Sequence, residues 1–166
     1  MSAHARRPDG GRRRETGTSL IEVMLATALV GILANIAAPI GLYLVRRAEA
    51  QSIINDFLVV QQAAVQYRSD RGVYPPERAV GVEPRELRQY IKGNVNWNNT
   101  RLRVRYDWEN WLRPNGNLRY PAFRIVAGFT IETSDTTLQA LIRNQYPGPY
   151  VSTFRNTRLT IPIELR

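Results

Sequence analysis

The feature that most constrains this chain is a stretch without charge. From Val23 to Val45 no Asp, Glu, Lys or Arg occurs, a run of 23 residues. Coiled as a helix it reaches about 35 Å, enough to cross a hydrocarbon core of about 30 Å. The run is unusually long for a buried core helix. It is also longer than the apolar region of an ordinary secretory signal, and Glu22 stands at its opening. A retained transmembrane helix fits it best. The arginines before it, Arg6, Arg7, Arg12, Arg13 and Arg14, place the N-terminus in the cytoplasm; Arg46 and Arg47 on the far side weaken that vote without preventing export of a long downstream domain.

Composition narrows the chemistry. The chain has no cysteine, and its one histidine, His4, precedes the apolar run. Thiolate nucleophiles, disulfides and Cys-ligated metals are excluded, and a chain trimmed ahead of the helix would also lack histidine bases and the commonest zinc ligands. No EF-hand pattern or Gly-rich phosphate loop is present. An enzyme is not expected, nor is a cofactor or metal. The 23 basic against 14 acidic residues give a net charge of +9, and all the basic residues but Lys92 are arginine. Such a basic surface can serve nucleic acid, anionic lipid or simply solubility, and a solvated surface is the favoured reading.

The segment Gly17-Thr18-Ser19-Leu20-Ile21-Glu22 carries a resemblance. A basic leader ending in glycine, a glutamate five residues later and an apolar helix together resemble the type IV pilin and type II secretion pseudopilin family. The stretch Val23 to Pro39 is similar to the family helix, with Pro39 where pilins often carry a bending proline. The resemblance implies cleavage after Gly17 by prepilin peptidase, N-methylation of Thr18, and pairing of Glu22 with the α-ammonium of a neighbouring subunit. The partners it implies are further copies or homologous pilins in a helical fibre, the peptidase, an inner-membrane assembly platform, and lipid before assembly. It implies a bacterial inner-membrane protein with a periplasmic head, then a periplasmic or extracellular fibre. Thr18 departs from the usual phenylalanine, which bears on methylation more than on cleavage. Read without the family, Ser19 and Glu22 also fit a capping box in a first helical turn.

Beyond Val45 the helix continues as an amphipathic one. Ala50, Ile53, Phe57, Val60, Ala64 and Tyr67 recur every three or four residues, with Ile54, Leu58 and Val65 widening the stripe. Gly72 and Pro75-Pro76 end it. The segment Tyr67 to Pro76, with its Gly-Val-Tyr-Pro, also resembles the end of the long pilin helix, so the likeness covers residues 1–76. The expected organisation is a leader over 1–17, an assembly helix over 18–45, an amphipathic continuation over 46–70 and a head over 71–166.

Within the head, a short helix is expected from Glu83-Pro84 to about Ile91, and a polar loop over Asn94 to Thr100. Leu102, Val104 and Tyr106 alternate with Arg101, Arg103 and Arg105, which predicts a half-exposed strand. Asn115-Gly116 marks a turn. Phe123, Ile125, Ala127, Phe129 and Ile131 predict a second strand, with an edge or bulge near Pro121. Ser134-Asp135 caps a short helix to about Arg143. Leu159, Ile161, Ile163 and Leu165 predict a last strand, with Pro162 pointing to an edge. Few strands after a long helix predict an α+β roll, a small antiparallel sheet laid on the amphipathic half of the helix.

Two clusters admit binding roles. Arg101, Arg103 and Arg105 would form a basic strand face for nucleic acid or lipopolysaccharide; a charged face guarding a sheet edge is the favoured reading. Tyr106, Trp108 and Trp111 suit a core or interface better than a ligand patch. The reading from another class is a single-pass membrane protein whose periplasmic domain binds a ligand or DNA and never polymerises.

Overall fold

The computed structural model describes residues 19–149, 151–153 and 157–166. Helix α1, Leu20–Arg71, is followed by strands β1 (Asn98–Asn99), β2 (Val104–Asn110) and β3 (Ile125–Glu132), helix α2 (Thr136–Gln145), and strands β4 (Val151–Thr153) and β5 (Arg158–Leu165). The chain divides into two compact units, 1–41 and 42–166.

In the smaller unit, α1 is exposed from Leu20 onward, and Pro39 lies inside the helix. By length and composition this helix can cross a membrane. Apolar side chains cover it: Leu29, Ile32, Leu33, Ile36 and Ile40 are all more than half exposed. Such a surface is stable only in lipid or against other apolar helices.

In the larger unit the apolar stripe of α1 meets a five-stranded antiparallel sheet of order β1-β2-β3-β5-β4. The buried residues are Ala50, Ile53, Ile54, Phe57, Val60, Ala63 and Ala64. Phe57 anchors the contact, its ring 5.9 Å from Phe129 and 5.3 Å from Tyr146 of the segment after α2. Leu58 and Val65 do not join this stripe: they are 43% and 51% exposed, while Ala63 turns inward.

Gly72 ends α1 in the left-handed region (φ 74), its N–H donating to Arg68 O at 2.7 Å, an end that glycine adopts with little strain. The chain is then clasped to the sheet. Trp108 Nε1 and Asn110 Nδ2 donate to Pro75 O at 3.0 and 2.9 Å. Tyr74 donates its hydroxyl to Glu164 at 2.7 Å, and Arg68 pairs with the same carboxylate.

Four expectations are corrected. Residues 85–90 form hydrogen-bonded turns instead of a helix, with Leu87 N–H on Pro84 O, Arg88 N–H on Arg85 O, and Tyr90 and Ile91 N–H both on Leu87 O. The loop expected over 94–100 contains β1, which pairs Asn98 with Arg105 and Asn99 with Val104. Strand β2 starts at Val104, not at Arg101, because 100–103 form the turn back from β1 and Arg103 takes φ 52. Strand β5 is an interior strand, since the unforeseen β4 pairs with its first residues. Pro162 is tolerated there because β4 reaches only as far as Thr160 and the β3–β5 register shifts beside Gly128, the partner of Pro162. Likewise Pro121 opens a 3-10 turn, Pro121–Phe123, ahead of β3. Helix α2 starts as expected: Asp135 accepts from Leu138 N–H at 3.0 Å.

Candidate functional site: helix entry, basic cluster and outer sheet face

Glu22 lies in the first turn of α1, and its Oε2 accepts from Ser19 N–H at 3.3 Å. One half of the capping box is therefore made, by a long and exposed bond. A carboxylate in a first turn also meets the positive end of the helix dipole. Gly17 and Thr18 lie outside the described residues. Pro39 sits within the helix, four residues after Asn35.

The three arginines do not share a strand face. Arg101 and Arg103 are exposed in the β1–β2 turn, and Arg105 is on β2, its guanidinium 2.9 Å from Glu132 of β3. Arg101 and Arg103 instead border an open cavity of about 520 Å³ with Arg46, Glu49 and Asp135. Arg46 bridges the two acids at 3.1 and 3.2 Å, so much of the positive charge is already met within the chain.

The sheet carries a site that apolar patterning could not reveal. Its inner face holds Val104, Tyr106, Trp108, Ala127, Phe129, Ile131, Leu159 and Ile161, all buried. Tyr106 Oη donates to Asp56 of α1 at 2.8 Å. Burial raises the Asp56 carboxyl, with the Tyr106 bond opposing; burial and the Asp56 charge both raise the Tyr106 hydroxyl.

The outer face is also buried, yet polar. Asp107, Thr130 and Thr160 form one rung across β2, β3 and β5. They are 5%, 0% and 1% exposed. The two threonine hydroxyls are 2.7 Å apart. Glu109, one rung along, accepts from Trp111 Nε1 at 2.8 Å and from Thr130 at 3.2 Å. Arg158 of β5 pairs with Asp107 and, at 3.1 Å, with Glu109. Two carboxylates thus share one guanidinium. Burial first, then Glu109, pushes the Asp107 carboxyl up to about 7 against the pull of Arg158; Asp107 Oδ1 is buried without a hydrogen bond. Beside this cluster lies a cavity of about 400 Å³ walled by Trp111, Tyr120 and Phe123. Alternation of Asp107 and Glu109 along β2 reads in sequence as a solvated face, so this cluster carries no advance signal. Trp108 and Tyr106 are core residues, and Trp111 serves the outer face.

Among the described residues, no group of three or more His, Cys, Asp or Glu side chains is placed to hold a metal ion. At the helix entry Glu22 is exposed beside an apolar surface, and the head is held by packing and internal ion pairs.

A long helix, apolar and exposed at its start and packed further on against a small antiparallel sheet, defines an α+β protein. Comparison with known proteins places the likeness more narrowly. The chain is 32% identical over 91 residues to type II secretion system core protein G of Vibrio cholerae, covering 48% of this chain and 62% of the relative. It is 31% identical over 64 residues to type II secretion system core protein G of Aeromonas hydrophila, covering 39% of this chain and 45% of the relative. The chain thus spans less than two thirds of the length of these curated relatives. No family model matches the chain, and no solved structure matches it. The resemblance to the pilin and pseudopilin family rests on the residues around Glu22 and on these relatives together.

Proposed function

We propose that this chain is a fibre-forming subunit of a type II secretion pseudopilus, anchored in the bacterial inner membrane before assembly. The carrying observation is the uncharged, exposed start of α1 opened by Glu22, five residues after Gly17. The likeness to two proteins named type II secretion system core protein G supports the secretion arm of the family over a surface pilus.

In this reading prepilin peptidase cuts after Gly17, which gives Thr18 a free α-ammonium. A carboxylate at a membrane boundary is costly without a partner. Glu22 finds one in the Thr18 ammonium of a neighbouring copy, which sets axial position as helices pass from lipid into a bundle. Methylation of Thr18 keeps that charge. Pro39 removes one helical hydrogen bond and lets the helix bend within the bundle. The assembly platform and homologous pilins are the remaining partners. The cluster of Arg46, Arg101 and Arg103 faces solvent on the head, with no nucleic-acid role assigned.

Intact mass of the membrane-extracted chain tests processing. A mass lacking residues 1–17 is expected; a mass retaining them refutes the reading and leaves a plain single-pass anchor. Glu22→Ala is expected to lower fibre yield at least tenfold at equal membrane content. Unchanged yield would falsify the pairing.

A further inference from the structure

Three side chains in the uncharged run can hydrogen bond: Thr27, Asn35 and Tyr43. Thr27 meets its need within its own helix, donating to the carbonyls of Val23 and Met24 at 3.0 Å each. Asn35 does so only in part. Its Nδ2 donates once, to Gly31 O at 2.9 Å. A carboxamide has a second N–H and an accepting oxygen. Pro39 adds to this imbalance. It stands four residues after Asn35 and has no N–H, so the backbone carbonyl of Asn35 cannot receive its helical bond. One level of an otherwise apolar helix thus offers one donor and two acceptors with no water to meet them.

The same side of the helix permits close approach. At about 100° per residue, Ala28, Gly31, Asn35, Ala38 and Leu42 follow one seam with the alternating three- and four-residue spacing of a coiled coil. Ala28, Gly31 and Ala38 on that seam are small, which lets a second helix come near. The opposite side carries Leu29, Leu33, Ile36 and Ile40, all large and exposed.

We propose that Asn35 pairs two copies of this chain in the membrane through a parallel helix contact. The occupant is a second copy for two reasons. A carboxamide complements itself, donor to acceptor, and copies anchored by the same run lie at the same depth. The second N–H of each Asn35 donates to the partner's oxygen at that level, and the freed backbone carbonyl is a further acceptor. A single asparagine at such a seam position fixes register and copy number at some cost in stability. This rests on the reading of the first half of α1 as a membrane span.

The absence of native cysteine supplies the test. Full-length chain with Ala28→Cys, on the seam, or Leu33→Cys, opposite it, is expressed and its membranes are oxidised. Disulfide-linked dimer is expected from Ala28→Cys and little from Leu33→Cys. Adding Asn35→Leu to Ala28→Cys is expected to lower dimer by about threefold to twentyfold, the span of measured hydrogen bonds between membrane helices. Asn35→Gln is expected to restore most of it. Equal dimer with and without the Asn35→Leu change, or equal crosslinking on both sides, overturns the pairing while leaving the membrane reading intact. Chain recovered in an alkaline wash instead of the membranes overturns that reading, and the pairing with it.

Discussion

Asp107 contributes a pH dependence to the stability of the head that runs opposite to that of a carboxylate held ionised by its partners. The group is 5% exposed, its Oδ1 is unbonded, and it shares Arg158 with Glu109. Burial is the largest influence on it, and its carboxyl rises from 3.8 to about 7. A carboxyl raised on folding binds its proton more tightly in the folded state. Its contribution is therefore fully present below about pH 4 and is lost as pH climbs through about 7. The gap between 3.8 and about 7, at about 1.4 kcal/mol per pH unit, sets about 4 kcal/mol as the upper bound of that loss. Asp107→Asn keeps an acceptor for Arg158 and removes the titration. The three tryptophans all lie in the larger unit, so their fluorescence reports its unfolding. Urea unfolding of the detergent-solubilised chain should show wild type gaining on Asp107→Asn as pH falls from about 8 to about 4, by an amount up to that bound. A difference that stays constant over this range, or that grows in favour of wild type toward alkaline pH, refutes the argument.

Two further outcomes follow from the packing, both read by the same fluorescence. Phe57 is fully buried between Phe129 and Tyr146, so Phe57→Ala should cost about 3–5 kcal/mol, and a cost under about 1 kcal/mol would show that α1 does not form this core. Gly72 has a positive φ and open space around it, so Gly72→Ala should cost about 1–2 kcal/mol from backbone strain alone; a neutral result would mean that α1 ends differently.

The helix and the class of fold were legible because their signals are periodic and local. Ile53, Phe57, Val60 and Ala64 repeat at helical spacing, and Gly72 with the prolines punctuates the end. Leu58 and Val65 misled because periodicity reports which residues could face a partner, not which of them do. The arginine alternation at 101–105 imitated a strand that begins only at Val104. What broke it was a residue with positive φ, Arg103, and nothing in an arginine announces that conformation. The outer sheet face was illegible for a different reason. Asp107, Glu109, Thr130 and Thr160 are buried by mutual hydrogen bonds and a shared guanidinium contributed by β5, a partner 51 residues from Asp107. Burial achieved by pairing leaves no hydrophobic trace in the sequence. At the helix entry, Glu22, Pro39 and the uncharged run can be seen in sequence because they need no tertiary contact, and their roles stand as proposals.

The clasp after Gly72 has a mechanical meaning. Pro75 hangs its carbonyl on two donors from β2, and Tyr74 and Arg68 grip Glu164 of β5. Strands β2 and β5 flank β3 on either side. Tension arriving at the last turn of α1 is therefore divided between two separate strands and reaches the sheet across its width, instead of peeling it from one margin. Under the proposed function, a subunit drawn by its helix gains from such a coupling, because rupture then requires both attachments to fail together.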